Sequence, residues 1–245
     1  MRGLVTGASA GLGLAIVRAL LAKGWHVVGV DREIAPTGTD ATSYEHVRCD
    51  LADPEAVDAL AADARQALDL AVMCAGISAT GRFEAIPGNA HRRVVDINAE
   101  ASMVLADALI GRGVLRGGTL VLVASLSVDV GYPGAASYAA SKEAIASYAR
   151  SLREGRSGVK VLTVLPGPIR TGHAARHAPA GSGDSARMDP DDLAARILAA
   201  ARSGRSVLRP GPAAALAGLA GRIAPGLTAR AMRRGLFEKL DRDVW

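Results

Sequence analysis

Tyr138 and Lys142 stand four residues apart in SYAASKEAIASYARSL (residues 137–152), a stretch whose small residues suit a helix. On a helix, positions i and i+4 share a face, which would set a phenol beside an ammonium. A free phenol ionises near pH 10, too high for proton exchange at neutral pH. A cation about 4–6 Å away favours phenolate and draws that pKa down. The pair could therefore be a proton-transfer device, although on residue type alone an exposed lysine beside a half-buried tyrosine is much the commoner arrangement. Thirteen residues earlier Ser125 ends GGTLVLVAS, a strand-like run. The carboxyl ends of strands are where open α/β sheets bind ligands, and a hydroxyl there would donate to an oxygen as its charge develops.

A second group of residues points to a nucleotide. In LVTGASAGLGLAIVRAL (residues 4–20) a strand runs through Thr6 into Gly7, and a helix begins near Gly11 and Gly13. Gly7 permits a tight turn, and the later glycines allow close approach where a Cβ would clash. The unpaired N–H groups of the helix start then face a diphosphate. About twenty residues on, HVVGVD ends in Asp31, whose carboxylate can accept ribose hydroxyls and repel a 2′-phosphate. Arg32 follows and would suit a 2′-phosphate, but no Lys or Arg lies inside the Gly-rich turn. NAD is favoured, with NADP the alternative. VMCAGIS (residues 72–78) reads as a strand ending in the small residues Cys74, Ala75 and Gly76.

The elements that must carry these residues alternate. Strands are expected over 3–6, 26–30, 46–49, 70–74, 119–124 and 160–165, and helices over 12–23, 54–66, 90–111, 137–153 and 190–203. That order predicts an α/β fold, a doubly wound parallel sheet of Rossmann type with helices on both faces. Residues 1–211 are expected to form the dinucleotide-binding and catalytic domain, with 172–190 as a substrate loop. A helical extension of the same domain follows over 212–245. The 245 residues, 49% hydrophobic and 3% aromatic, fit a core of Ala, Val and Leu. Cys49 and Cys74 supply no disulfide framework and fit a reducing compartment. The glycines of the first twenty residues interrupt any signal-peptide core, and no apolar run is long enough to span a membrane, so a cytoplasmic protein is expected.

In one order on one scaffold, these motifs resemble the classical short-chain dehydrogenase/reductase family over roughly residues 1–171. Thr6, Gly7, Ser9, Gly11, Leu12 and Gly13 stand in its cofactor motif. Its N-N-A-G segment becomes Met73-Cys74-Ala75-Gly76, losing side-chain hydrogen bonds that brace the sheet. Asp50 and Leu51 match the residues flanking adenine. Asn98, Ser125, Tyr138 and Lys142 match the catalytic set, and Pro166, Gly167, Ile169 and Thr171 match the nicotinamide-side segment. The resemblance implies an NAD(P)-dependent oxidoreductase interconverting a secondary alcohol and a ketone or aldehyde. Tyr138 would be general acid/base, Ser125 would bond the substrate oxygen, and Lys142 would reach the ribose. Asn98 would position water that links Lys142 to solvent. A homodimer or homotetramer is implied, with the helices bearing Asn98 and Tyr138 at the contacts.

A sugar-nucleotide epimerase or dehydratase shares Tyr-x-x-x-Lys but has a longer substrate domain and different glycine spacing. A nicotinamide-binding sensor has no need of all four catalytic positions. His173 and His177, four apart, have the spacing of a helical ligand pair; without a third ligand or H-E-x-x-H, no metal is expected, and both are assigned to the lid. Arg176 and Arg187 nearby would favour an anionic substrate, although a solvated loop is the safer assignment.

After Thr171 the resemblance weakens. The family's Asp-Gly-Gly strand is missing, and a short strand and helices at 212–223 and 227–240 follow. Leu216, Leu219 and Ile223 recur at helical spacing. Their face is expected to pack on its own core or a partner subunit, with peripheral membrane contact ranked last. The net charge of +5 is concentrated here, since residues 201–245 hold nine basic residues against three acidic. A solvated face is the leading reading of that charge, and without interleaved aromatics nucleic acid is not expected.

Overall fold

The computed structural model describes residues 1–36, 42–155, 158–178, 187–240 and 243–245. Its centre is a parallel sheet of β1 (Arg2–Thr6), β2 (His26–Asp31), β3 (Tyr44–Arg48), β4 (Leu70–Met73), β5 (Thr119–Val123), β6 (Lys160–Val164) and β7 (Val207–Leu208), in the order β3-β2-β1-β4-β5-β6-β7. The interior strands read as nearly unbroken Val/Leu/Ala runs because both faces are covered. The order reverses between β1 and β4, which opens a crevice at the carboxyl edge of the sheet. The two-residue β7 takes the edge beside β6, so the sheet is finished by Val207 and Leu208.

Helices α1 (Gly11–Leu21), α2 (Pro54–Asp63), α3 (Gly88–Val95), α4 (Ala101–Gly111), α5 (Ser127–Val130), α6 (Ala136–Glu154), α7 (Gly172–His177), α8 (Pro190–Arg202), α9 (Pro212–Ile223) and α10 (Pro225–Gly235) follow in chain order. On one face of the sheet, Val57 of α2, Leu105 and Leu109 of α4, and Ile145 and Ala149 of α6 share a core with Leu120 and Leu122. On the other, Ile16, Val17 and Leu20 of α1 meet Leu193 and Ile197 of α8 over Val5, Val72 and Leu162. Asp53 begins α2 by accepting from the N–H groups of Glu55 and Ala56, and Pro54 sits at the first helical position.

Several expectations change. The helix expected over 90–111 is interrupted by a π-helical turn, Asp96–Glu100, between α3 and α4. The expected substrate loop at 172–190 begins as α7, because Thr171 caps it by accepting from Ala174 N–H at 3.2 Å; residues 179–186 lie outside the described residues. The helix expected over 227–240 starts two residues earlier, as α10, and gives way to a 3₁₀ turn, Phe237–Lys239.

Of the placements expected for the apolar face of α9, burial in the chain's own core is not the one it takes. Ala214, Gly218 and Gly221 are its buried residues, whereas Leu216, Leu219 and Ile223 are exposed. The small side is what fits: a Cβ on Gly221 would stand 2.7 Å from the carbonyl carbon of Asp129 in α5 and closer still to its oxygen. The Asp129 carboxylate, 4% exposed, accepts two bonds from Arg209 (2.8 and 3.1 Å) and one from Arg222 (3.1 Å), clamping α9 onto α5. Among the described residues no helix is long and apolar enough to cross a membrane.

Candidate active site

The turn from β1 into α1 is built by main chain. Gly7 has φ +71°, and a Cβ on it would lie 3.0 Å from Ala75 Cα. A Cβ on Gly13 would lie 2.7 Å from the Gly7 carbonyl carbon and closer still to its oxygen, so only glycine lets the helix start fold over the turn. The Thr6 hydroxyl accepts from the N–H groups of Cys74 (3.0 Å) and Ala75 (3.1 Å). This tie joins β1 to the end of β4 in a chain that lacks the asparagines of the family segment.

At the end of β2, Asp31 accepts from Ser9 N–H at 3.0 Å and from Glu33 N–H at 3.1 Å. The carboxylate is thus aimed at the Gly-rich turn by main-chain donors. Arg32 instead pairs with Glu33 at 3.2 Å. After β3, Asp50 accepts from Ala52 N–H at 3.0 Å and has Arg93 at 3.7 Å, while Leu51 is buried. After β6, the chain through Pro166, Gly167 and Ile169 brings Thr171 across the turn: a Cβ on Gly11 would meet its methyl at 3.1 Å. Leu12 is buried in the core of α1. A Gly-rich turn opening a helix N-terminus, with one carboxylate beside it, is the chemistry that an adenosine diphosphate requires.

The four residues read as catalytic meet at the same carboxyl edge. The first turns of α6 carry Tyr138 and Lys142, and Ser125 follows β5. Ser125 Oγ accepts from Ser127 N–H at 3.1 Å, which fixes its rotamer at the start of α5, and its hydroxyl is close enough to the Tyr138 phenol to pull its pKa downward. Lys142 Nζ lies over the Tyr138 ring, 5.8 Å from its centroid. Asn98 sits in the π-helical turn, a feature frequent at functional sites. Its side chain accepts from Ile77 N–H (2.8 Å) and donates to Ile77 O (2.9 Å) and to Ser141 Oγ (3.0 Å). Ser141 donates to Tyr138 O at 2.8 Å, so one hydrogen-bonded chain links Asn98 to α6. A Cβ on Gly76 would stand 3.2 Å from Lys142 Nζ and 3.3 Å from Asn98 Oδ1, which keeps that space open.

The electrostatics differ from the sequence expectation. Burial pushes the Tyr138 phenol above its ordinary value, against the opposing pull of the Ser125 hydrogen bond. The ammonium does not offset this, because it stands over the ring face and donates to Val123 O at 2.9 Å. Burial also holds Lys142 down to about 8. Beside it the Cys74 thiol is pushed up to about 12, chiefly by burial, and stays a thiol.

The wall opposite the cofactor turn contains residues the sequence did not single out. Tyr132 stands edge-on to Tyr138, with ring centroids 6.1 Å apart. Thr80 Oγ1 hydrogen-bonds His177 Nδ1 at 2.9 Å, both buried, and the His173 ring leans on His177 with centroids 4.7 Å apart. Burial of its ring, then the charges of His177, Lys142 and Arg176, hold His173 down to about 4. Val244 pairs antiparallel with Thr80, and Asp243 accepts from Arg82 N–H at 2.9 Å. Of these, His173 and His177 match their expected place in the lid, Tyr132 stands out as an aromatic six residues ahead of Tyr138, and Thr80, Asp243 and Val244 carry no signal in the sequence.

The family model described as short chain dehydrogenase matches residues 3–180. A 1-deoxy-11-beta-hydroxypentalenate dehydrogenase of Streptomyces exfoliatus is 33% identical over 225 residues, spanning 84% of this chain and 81% of the relative. A 2-(R)-hydroxypropyl-CoM dehydrogenase of Xanthobacter autotrophicus is 32% identical over 185 residues, 69% of this chain and 74% of the other. Among solved structures, a short-chain dehydrogenase from Streptomyces avermitilis superposes with a TM-score of 0.78 at 27% identity, covering 96% of this chain and 94% of that one. With the Gly-rich turn and the Ser-Tyr-Lys cluster at one sheet edge, the chain belongs to the short-chain dehydrogenase/reductase family of NAD(P)-dependent oxidoreductases, which interconvert alcohols and carbonyl compounds.

Proposed function

We propose that this enzyme interconverts a secondary alcohol and a ketone, with Tyr138 as general acid/base and Ser125 donating to the substrate oxygen. The single observation behind the reading is the placing of the Lys142 ammonium over the Tyr138 ring, 5.8 Å from its centroid, at the sheet edge that also carries Ser125. Thr6, Gly7, Ser9, Gly11, Leu12 and Gly13 would hold the diphosphate, Asp31 the ribose, and Asp50 and Leu51 the adenine side. Cys74, Ala75 and Gly76 would border the adenosine, and Pro166, Gly167, Ile169 and Thr171 the nicotinamide side. The bound dinucleotide supplies the hydride acceptor or donor.

The chain's own residues manage the proton. A phenol raised by burial is protonated at neutral pH, the form that carbonyl reduction needs. Oxidation needs the ammonium to turn from the Val123 carbonyl toward the phenol, where its charge favours phenolate. Lys142, at about 8, exchanges protons close to neutral pH, and the Asn98 turn beside it would order water toward solvent. NAD is preferred over NADP on the strength of Asp31, whose charge opposes a 2′-phosphate, while Arg32 is engaged by Glu33. The reading carries with it a cytoplasmic homodimer or homotetramer, and residues 212–245 as an extension of the one domain.

Tyr138→Phe tests the assignment. It should bind NADH as the native enzyme does and lose turnover by about 10²–10⁴-fold, the usual contribution of a positioned acid/base. Near-full turnover on any alcohol that the native enzyme oxidises would remove Tyr138 from the chemistry.

A further inference from the structure

We propose that α9 and α10 form a peripheral docking surface for an anionic phospholipid bilayer. The outward side of α9 is fixed, because the Asp129 clamp and the contact at Gly221 hold its small-residue side against α5. Leu216 (67% exposed), Leu219 (54%) and Ile223 (73%) line the outer face, and Leu227 (65%) continues the exposed series in the first turn of α10. Their exposed neighbours on α9 are Pro212, Ala213, Ala215 and Ala220, so no charge interrupts this face before Arg222. Four large apolar side chains on consecutive helices are more than scattered exposure on a soluble surface requires.

Charge selects the occupant. Between Pro212 and Phe237 the chain carries Arg222, Arg230, Arg233 and Arg234 and no Asp or Glu. Leu227, Arg230 and Arg234 fall at i, i+3 and i+7, one face of α10. Arg233 pairs with Glu238 at 3.2 Å, whereas among the described residues no ion pair engages Arg230 or Arg234. A two-fold contact with a second copy sets a patch against itself and would crowd these arginines together. Protruding leucines flanked by arginines, with no acidic residue between, match an interface where apolar side chains enter the acyl boundary and cations meet phosphates. The surface also reaches the site, since a Cβ on Gly134, in the loop ahead of Tyr138, would touch Phe237 and Leu240 just beyond α10.

The test is sedimentation of the full chain with vesicles of phosphatidylglycerol and phosphatidylcholine in equal parts, against phosphatidylcholine alone. The native protein should partition onto the anionic vesicles at least about tenfold better, and less so as salt rises. Arg230→Gln/Arg234→Gln should weaken partitioning by about fivefold per arginine. Leu219→Asp/Ile223→Asp, at exposed positions, should lower it to the neutral-vesicle level while leaving turnover on a water-soluble alcohol unchanged. Equal sedimentation with both vesicle types would overturn the proposal, as would anionic binding that survives the Leu219/Ile223 change. A lipid-free assembly that this double variant dissociates, without vesicle binding by the native chain, would assign the face to a second copy instead.

Discussion

The two sides of the crevice are built from different materials. The cofactor side is main chain: glycine N–H groups of one short turn, a threonine hydroxyl taking two amide protons, and a carboxylate oriented by two more. Its shape is set by residues close in sequence and by the absence of side chains. The opposite side relies more on side chains drawn from separated segments: Thr80 bonds His177, Tyr132 meets Tyr138 and Asp243 holds the Arg82 amide, with one main-chain bridge from Val244 to Thr80. A backbone cradle tolerates almost no substitution, whereas a wall of side chains can be altered piece by piece. One frame can therefore keep its cofactor while its substrate changes.

That contrast breaks most sharply at Gly13. Gly13→Ala adds one methyl group, aimed at the Gly7 carbonyl, and nothing flexible can give way. The turn must open, and NADH affinity should fall by about 100-fold or more, equivalent to about 3 kcal/mol of displaced backbone. Fluorescence titration with NADH measures it. Affinity within the native range would mean that the turn is softer than a main-chain cradle should be.

The C-terminal side offers the intermediate test. Asp129→Asn keeps the volume but removes the charge that joins Arg209 and Arg222 to α5. Loss of these charge-assisted bonds should lower stability by about 2 kcal/mol, or about 4–8 °C in Tm for a chain of this size. NADH affinity should stay at the native level, because α9 does not touch the Gly-rich turn. A matching fall in NADH affinity would show that the two sides are mechanically coupled.

The same contrast explains what could be read in the sequence. The cofactor side was legible because its chemistry lies in glycine spacing and strand ends within a few residues, and the strand order followed from the alternation. Asn98, Ser125, Tyr138 and Lys142, the four proposed as catalytic, stand out through their resemblance to a family, and their convergence at one sheet edge follows from the α/β order. The π-helical turn at Asn98 was not, since DINAE has helical composition and the extra residue shows only in backbone geometry. The chain's own core does not take Leu216, Leu219 and Ile223, because hydrophobicity alone does not say which side of α9 packs on α5. Packing against a carbonyl demands small residues, and Ala214, Gly218 and Gly221 supply them. The acidity of Tyr138 was misjudged because residue spacing sets the distance between two groups without revealing the burial around both. The pairing of Thr80 with His177 spans 97 residues and left no local trace.

The smallest effect concerns pH and isolates one side chain of the substrate wall. His173 is held down to about 4, against 6.5 for a free imidazole, so it is neutral in the native protein throughout the physiological range. The unfolded chain takes up a proton there once pH drops below about 6.5, and the native chain does so only near 4. Where the unfolded state binds more protons, stability falls as pH falls. The contribution of His173 is therefore complete above about 6.5 and is lost as pH descends toward 4. The His173 ring leans on His177 but the residue is open to solvent on its other side, and screening there keeps the contribution below about 1 kcal/mol. His173→Gln, which has no proton to gain, should flatten the pH dependence of Tm between 6.5 and 4 relative to the native chain and leave the profile above 6.5 unchanged. Parallel profiles for the two proteins would mean that His173 is solvated like any surface imidazole, and that the wall does not close around its ring.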